Sequence, residues 1–233
     1  MKVVFVGPSL PDAASFVGHD VTICPPAVQG DVFAAVSRGA RVIGIVDGGF
    51  EYIAPVWHKE ILHALSQKVR VFGAASMGAL RAVECGAFGM VGIGRIYSDY
   101  ASGMTIDDSD VALLHGPEAL GYKALTVPLV NVRATLDKLE RHQVLTRGLR
   151  MALEAAAANV FFKARTWRTI VANADVPAAD RQQLLLLLRS SEVDQKRADA
   201  LALIEAVRAA DDHALPTDVT WQFNKTFILS DKL

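Results

Sequence analysis

Residues 41–47 constrain the fold of this chain more than any other stretch. Their sequence is Arg-Val-Ile-Gly-Ile-Val-Asp, which is apolar and mostly β-branched between its two charged ends. A strand that is apolar at every position is buried on both faces, as the inner strands of parallel sheets are. Parallel neighbours need a crossover connection, which is usually a helix. This run therefore predicts an α/β fold.

Strand and helix patterns alternate through the first half of the chain. Short apolar runs predict strands at residues 3–6, 20–23, 41–47 and 69–72. Helices are predicted between them, at residues 32–38 and 55–67. Residues 91–100 predict an edge strand and a loop, and residues 105–114 predict a helix. We therefore predict a core domain over residues 1–130, built as an open parallel sheet with flanking helices.

The pattern changes from residue 131 onward. The segments there have helix-like composition, and no strand pattern separates them. The five-leucine run at residues 184–188 is too short to span a bilayer and predicts a buried helix. Residues 131–233 are expected to form an all-helical C-terminal region used for packing or partner contact.

Composition excludes several classes of protein. Of the 233 residues, 52% are hydrophobic, and the formal net charge of −1 argues against a nucleic-acid surface. Cys24 and Cys85 form no Cys-x-x-Cys pair and predict free thiols in a reduced compartment. No apolar run has the length of a signal peptide or a membrane span. We expect a cytoplasmic protein that binds neither nucleic acid nor membrane.

No cofactor motif is complete. Gly73 and Gly78 have the spacing of the front of a P-loop, but Ala79 and Leu80 stand where the phosphate-binding Lys and Ser/Thr are needed. The first strand is not followed by Gly-x-Gly-x-x-Gly, and the six histidines are scattered singly. We predict no cofactor and no metal site.

Ser76 lies where a predicted strand turns into a predicted helix. Small residues surround it, and Ala74 stands where a strict Gly-x-Ser-x-Gly elbow has its first glycine. A hydroxyl at such a turn is exposed at the end of the sheet, and the N–H groups of the following helix can stabilise negative charge. The same position also suits a plain helix N-cap. Ser76 is therefore either a nucleophile or a cap.

Carboxylates and a histidine are expected near the same edge of the sheet, because parallel strands end together. Asp47 and Glu51 follow the third strand, and His58 opens the next helix. A serine, a histidine and a carboxylate are the parts of an activated nucleophile. The predicted catalytic set is Ser76, His58 and Glu51 or Asp47. The plainer interpretations are a turn-forming Asp47 and a solvated or capping His58.

His115 is the second candidate for the base, although its place after a predicted helix also suits a C-terminal cap. Substrate contacts are expected at the strand ends and at the starts of the following helices. They are Gly7, Ser9, Gly48, Lys59, Met77, Gly78, Arg81 and His115.

Several stretches together resemble one known family. They are Gly7-Pro8-Ser9-Leu10, Ile45-Val46-Asp47-Gly48, Trp57-His58-Lys59-Glu60, Phe72 to Ala82 and His115-Gly116-Pro117. This set resembles the TfuA-like family over roughly residues 1 to 120. The six residues 74–79 also resemble the nucleophile segment of Clp-type serine peptidases.

The resemblance implies a role beside a YcaO-type enzyme, which uses ATP when it converts a peptide backbone amide to a thioamide. For some members it implies hydrolysis of the thiocarboxylated C-terminus of a ThiS-type ubiquitin-like carrier, which releases sulfide. In that picture Ser76 is the nucleophile and Arg81 binds the C-terminus of the carrier, while the plainer interpretation of Arg81 is an arginine on an exposed helix face.

Three hypotheses about function remain open. The first is a serine-type hydrolase that acts on the carrier thiocarboxylate. The second is a non-catalytic adaptor that brings the sulfur donor to the YcaO partner. The third is a free-standing peptidase or thioesterase for small substrates.

Overall fold

The computed structural model describes residues 1–211 and 221–224. The chain divides into two compact units, one formed by residues 1–106 with 197–233 and the other by residues 107–196. The last part of the predicted helical region, at residues 212–220 and 225–233, lies outside the described residues. The predicted boundary near residue 130, between a core domain and a helical region, stays a prediction.

The first unit is built on one parallel sheet of five strands. The strands are β1 (Lys2–Phe5), β2 (Val21–Cys24), β3 (Val42–Ile45), β4 (Arg70–Ala74) and β5 (Val91–Ile93). Their order is β2-β1-β3-β4-β5, and every neighbouring pair is parallel. In register, Ile45 pairs with Phe5 on one side and with Gly73 on the other. The predicted parallel α/β fold is confirmed.

This strand order determines where a ligand site is expected. The chain runs outward from β1 to β2 and then returns to β3 on the other side of β1. In open α/β sheets, ligands bind at the carboxyl ends of the strands, beside the point where the strand order reverses. The loops after β1, β3 and β4 therefore form the edge where a ligand site is expected.

Helices connect the successive strands from β2 to β5, and a further helix follows β5. They are α1 (Asp31–Ser37), α2 (His58–Ser66), α3 (Met77–Cys85) and α4 (Gly94–Ala101). The edge strand predicted within residues 91–100 is present as β5, but the predicted loop after it is wrong because α4 begins there. The Asp199 carboxylate accepts a hydrogen bond of 2.7 Å from the Ile96 N–H in the first turn of α4. This cap comes from a distant part of the chain, so the local sequence does not reveal it.

The last described helix, α9 (Gln195–Ala209), contributes to the core of the sheet. Its buried residues Leu203 and Val207 belong to the same apolar cluster as Val4 and Val42. A Cβ atom on Gly44 would lie only 2.7 Å from Leu203 Cδ2. The missing side chain in the middle of β3 therefore lets α9 pack directly on the strand.

The second unit is helical and has its own apolar core. Its helices are α5 (Leu129–Arg141), α6 (Arg147–Ala158), α7 (Trp167–Asn173) and α8 (Arg181–Ser190). Leu136, Leu153, Ile170 and Leu188 are fully buried in that core. The predicted helical C-terminal region is confirmed for these segments. None of the helices in the described residues is long and apolar enough to cross a membrane.

The helix predicted at residues 105–114 is wrong. Only a short 3-10 turn, Asp108–Val111, forms there. The Asp107 side chain accepts a hydrogen bond of 2.8 Å from the Ser109 N–H, and Ala112 is already extended. Aspartate and serine side chains compete with helical hydrogen bonds in this way, which favours turns over helices.

Replacing Leu203 with alanine tests the contribution of α9 to the sheet core. The side chain is fully buried, so Leu203→Ala leaves a cavity and should lower the free energy of unfolding by about 2–5 kcal/mol. Glu205→Ala, at an exposed position of the same helix, is the control and should change it by less than about 0.5 kcal/mol. Urea denaturation of both variants measures the difference. Equal changes would contradict the packing described.

Candidate functional site

Ser76 lies in a strained turn between β4 and α3. Ala75 has a positive φ of 64°, and the Ser76 N–H donates a hydrogen bond of 2.7 Å to the Ala74 carbonyl. A hydrogen bond between residues two apart, around a residue with positive φ, is a γ-turn, which is rare and strained. Ser76 itself has φ −132° and ψ −126°, outside the main allowed regions. Two successive residues therefore hold uncommon backbone conformations.

Two glycines bring this turn close to the sheet. A Cβ atom on Gly78 would lie 1.7 Å from the Ile45 carbonyl oxygen, and one on Gly73 would lie 2.1 Å from the Gly78 carbonyl oxygen. The Gly78 N–H donates to the Val46 carbonyl across 3.2 Å. Gly78 was expected to contact substrate, and the structure places its α-carbon against β3. Only glycine allows the start of α3 to lie so close to the ends of β3 and β4.

The Ser76 hydroxyl is not used to cap α3. Ser76 occupies the N-cap position, and its carbonyl accepts the Ala79 N–H at 2.9 Å, but the side chain makes no capping hydrogen bond. The residue is half-buried. The first N–H groups of a helix have no acceptor within the helix, and its N-terminus carries a partial positive charge. The Gly78 and Ala79 N–H groups donate to the Val46 and Ser76 carbonyls, so the hydroxyl lies beside the Met77 N–H and the positive end of the helix.

Asp47 ties together the loops after β1 and β3. Its carboxylate is 2% exposed and accepts hydrogen bonds from the Gly7 N–H at 2.9 Å, the Ser9 N–H at 2.9 Å and the Ser9 hydroxyl at 2.6 Å. Gly7 and Ser9 were expected to contact substrate, and both donate to this carboxylate instead. The arrangement gives Asp47 a structural role at the point where the strand order reverses.

Gly48 and Met77 pack against each other at the same edge. A Cβ atom on Gly48 would lie 2.7 Å from Met77 Cγ and 3.1 Å from the Ala27 carbonyl oxygen. Met77 is buried and Gly48 is half-buried. The loop after β3 is thereby held against the first residue of α3, immediately after Ser76.

His58 is paired with Glu84. Its Nε2 lies 2.7 Å from Glu84 Oε2, and the Arg81 guanidinium donates to the same oxygen at 2.6 Å. Arg81 Nε also donates to the Val56 carbonyl at 3.0 Å, and the Arg81 side chain is only 11% exposed. Ser76 and Glu84 are eight residues apart, which is about 12 Å along a helix. The structure therefore brings His58 to Glu84 and not to Ser76.

Glu84 was not among the residues predicted for the site. Its spacing of three from Arg81 could have indicated an ion pair on one face of α3. Its contact with His58 joins α2 to α3 and cannot be read from local sequence.

The other predicted residues are spread over the surface. Glu51 is exposed in the loop after β3 and has φ 61°, with the Tyr52 N–H donating to the Phe50 carbonyl at 2.8 Å. Lys59 donates to the Asn224 carbonyl at 3.3 Å. His115 lies in the second unit, where its Nδ1 is 2.7 Å from the Gly116 carbonyl oxygen.

Both cysteines are poorly suited to carry sulfur. Cys85 is 1% exposed, and burial, aided by the nearby Glu84 carboxylate, raises the pKa of its thiol to about 11. Burial also raises the pKa of the half-buried Cys24 thiol. The thiolate is the reactive form of cysteine, and a raised pKa depletes it near neutral pH. Within residues 1–211 and 221–224, no three histidine, cysteine, aspartate or glutamate side chains are grouped to hold a metal ion.

Asp47→Asn tests the structural role of the carboxylate. The amide of asparagine turns an NH2 group toward at least one of three donors, so the free energy of unfolding should fall by about 1–3 kcal/mol. Asp108→Asn, at an exposed position, is the control and should change it by less than about 0.5 kcal/mol. Urea denaturation distinguishes them, and an Asp47→Asn variant as stable as the wild type would contradict this role.

Comparison with known proteins identifies the family of the chain. The family model described as TfuA-like protein matches residues 47–166, just over half of the 233 residues. The matched range begins at Asp47 and includes the Ser76 turn. No curated protein matches the chain. The TfuA-like family is generally linked to YcaO-associated thioamidation, and its members are associated with YcaO partners. The chain belongs to the TfuA-like family.

Proposed function

We propose that this chain hydrolyses the thiocarboxylate at the C-terminus of a ThiS-type carrier protein and supplies the released sulfide to a YcaO-type enzyme. Ser76 is the proposed nucleophile. The observation that carries the proposal is its hydroxyl, which makes no capping hydrogen bond although it stands at the N-terminus of α3 in a strained backbone. Strained residues persist where the surrounding structure holds them, and they cluster at functional sites.

The proposed reaction has two steps. The Ser76 oxygen attacks the carbonyl carbon of the thiocarboxylate anion, the C–S bond breaks, and the sulfur takes the hydroxyl proton and leaves as hydrosulfide. Water then attacks the acyl ester, releases the carrier as a carboxylate together with one proton, and restores the hydroxyl. The net reaction exchanges sulfur for oxygen and needs only water, so no oxidant or reductant is involved.

Negative charge develops on the carbonyl oxygen during both steps. The Met77 N–H, the first of α3, and the positive end of the helix stand next to Ser76 in the sequence and are the proposed oxyanion donors. A single donor of this kind typically contributes a factor of about 100 to 1,000 in rate.

The proposed proton acceptor for Ser76 is the substrate itself rather than a side chain of the protein. His58 was predicted for this role, with Glu51 or Asp47 orienting it, but it is held by Glu84 in this structure. The sulfur of the tetrahedral adduct carries charge and can take the Ser76 proton as it leaves. We therefore propose that the substrate sulfur serves as the proton acceptor in the first step.

The carrier is expected to approach along the edge formed by the loops after β1, β3 and β4. Arg81 was predicted to bind its C-terminus, but two of the Arg81 nitrogens are already engaged by the Val56 carbonyl and Glu84. The proposal places the reaction in the cytoplasm, where the ATP that YcaO enzymes use is available.

Ser76→Ala is the test of the nucleophile. Sulfide release from a thiocarboxylated ThiS-type carrier should fall at least about 1,000-fold, because the hydroxyl forms the acyl bond. Ser66→Ala, which removes another partly buried serine hydroxyl at the end of α2, is the matched control and should retain the rate of the wild type. Equal release by Ser76→Ala and wild type would overturn the proposal.

His58→Ala tests whether the base predicted from sequence takes part. The imidazole contacts Glu84, about 12 Å along α3 from Ser76, so we expect sulfide release to fall less than about 10-fold. The rate is compared with that of Ser76→Ala over a range of pH. A loss as large as that of Ser76→Ala would show that His58 moves to the nucleophile during the reaction.

A non-catalytic adaptor is the second candidate function. It is favoured by the pairing of His58 with Glu84, which leaves Ser76 without the predicted imidazole. An adaptor would bind carrier and YcaO partner but release no sulfide by itself. A thioesterase for small substrates, the third hypothesis, would cleave acyl thioesters without a carrier protein. Binding and turnover measured on the same preparations separate the three functions.

A further inference from the structure

We infer that Ala75 is the positioning residue of this site, an inference that rests on the proposed role of Ser76. Ala75 makes no contact with the reaction itself. Its positive-φ conformation directs the chain from β4 into α3 and thereby determines where the Ser76 hydroxyl lies.

The conformation of Ala75 is unusual for both its residue type and its surroundings. Residues with a side chain disfavour positive φ, whereas glycine adopts it freely. Five residues other than glycine have positive φ in the part of the chain that the structure describes. They are Glu51, Lys68, Ala75, Tyr122 and Gln143. Ala75 is the one among these five that is fully buried.

Packing holds Ala75 in this conformation. Its methyl group belongs to the apolar cluster that contains Val6, Val46 and Ala74. On the outer side, the Ser76 N–H is bound to the Ala74 carbonyl at 2.7 Å. The turn is therefore fixed from inside by the core and closed outside by its own hydrogen bond.

Comparison with the two neighbouring glycines supports the positioning role of Ala75. Gly73 and Gly78 are glycines because a Cβ atom would collide with backbone oxygens. Position 75 needs positive φ, the usual reason for glycine, yet it carries a methyl group. A glycine there would relieve the strain but would also reach many other conformations. Alanine disfavours positive φ, but its methyl group packs in the core, and this packing holds the turn in the observed arrangement.

The inference predicts an effect on turnover rather than on substrate binding. Ala75→Gly should lower kcat on the order of 10-fold to 100-fold, because small displacements of a reacting group cost that much. The KM for the carrier should stay within about twofold, since Ala75 is buried and does not reach a bound carrier. Ala75→Ser keeps a Cβ atom and should retain most of the kcat.

Gln143→Gly is the matched control. Gln143 also has positive φ, at 58°, but it is exposed and follows α5 in the second unit. This variant relieves the same kind of backbone strain at a different site. It should leave kcat and KM unchanged.

A second measurement is independent of the reaction. Ser76→Cys puts a thiol at the N-terminus of α3, and its rate of alkylation by iodoacetamide reports the environment of that side chain. Adding Ala75→Gly to this variant should change the alkylation rate at least about threefold, whereas adding Gln143→Gly should not. Alkylation of the wild-type chain measures the background reaction of Cys24 and Cys85 with iodoacetamide.

The two measurements separate the two claims. Loss of sulfide release in Ser76→Ala, together with unchanged kcat and unchanged alkylation in the Ala75→Gly variants, would overturn the role of Ala75 alone. Equal sulfide release by Ser76→Ala and wild type, with an altered alkylation rate on Ala75→Gly, would overturn the hydrolase and support the positioning role.

Discussion

The hydrogen bonds of the Asp47 carboxylate are the constraint on which the functional edge of the sheet depends. One buried side chain accepts three hydrogen bonds from the loop after β1, while its own backbone begins the loop after β3. The Asp47 carbonyl also accepts the Ala27 N–H at 2.9 Å, which adds the loop after β2. Three loops are thereby fixed around the place where a ligand is expected in this fold.

Much of the fold could be predicted because its signals are local. The continuous apolar run of β3 indicates a strand buried on both faces, and the small residues after β4 indicate a tight strand-to-helix turn. The failures involve contacts between residues far apart in the chain. Helix α4 depends on a cap from Asp199, and His58 finds its carboxylate on α3. Neither spacing nor composition contains that information.

The sequence predicted where Ser76 lies in the fold, but it did not predict which residues the surrounding side chains contact. Ser76 lies at the carboxyl end of β4 as expected, with a hydroxyl free of any capping role. The side chains expected around it make other contacts. Asp47 accepts hydrogen bonds from the loop after β1, and His58 pairs with Glu84. The proposed nucleophile therefore depends on the Met77 N–H and a strained turn rather than on a serine–histidine–carboxylate triad.

The covalent role of Ser76 is measured most directly by the mass of the full chain after it is mixed with a thiocarboxylated ThiS-type carrier and quenched in acid within one turnover. A nucleophilic Ser76 gives an adduct whose mass equals chain plus carrier less one hydrogen sulfide. Peptide mapping should place that adduct on Ser76. An adduct on another residue, or a full turnover of sulfide with none formed, would contradict it.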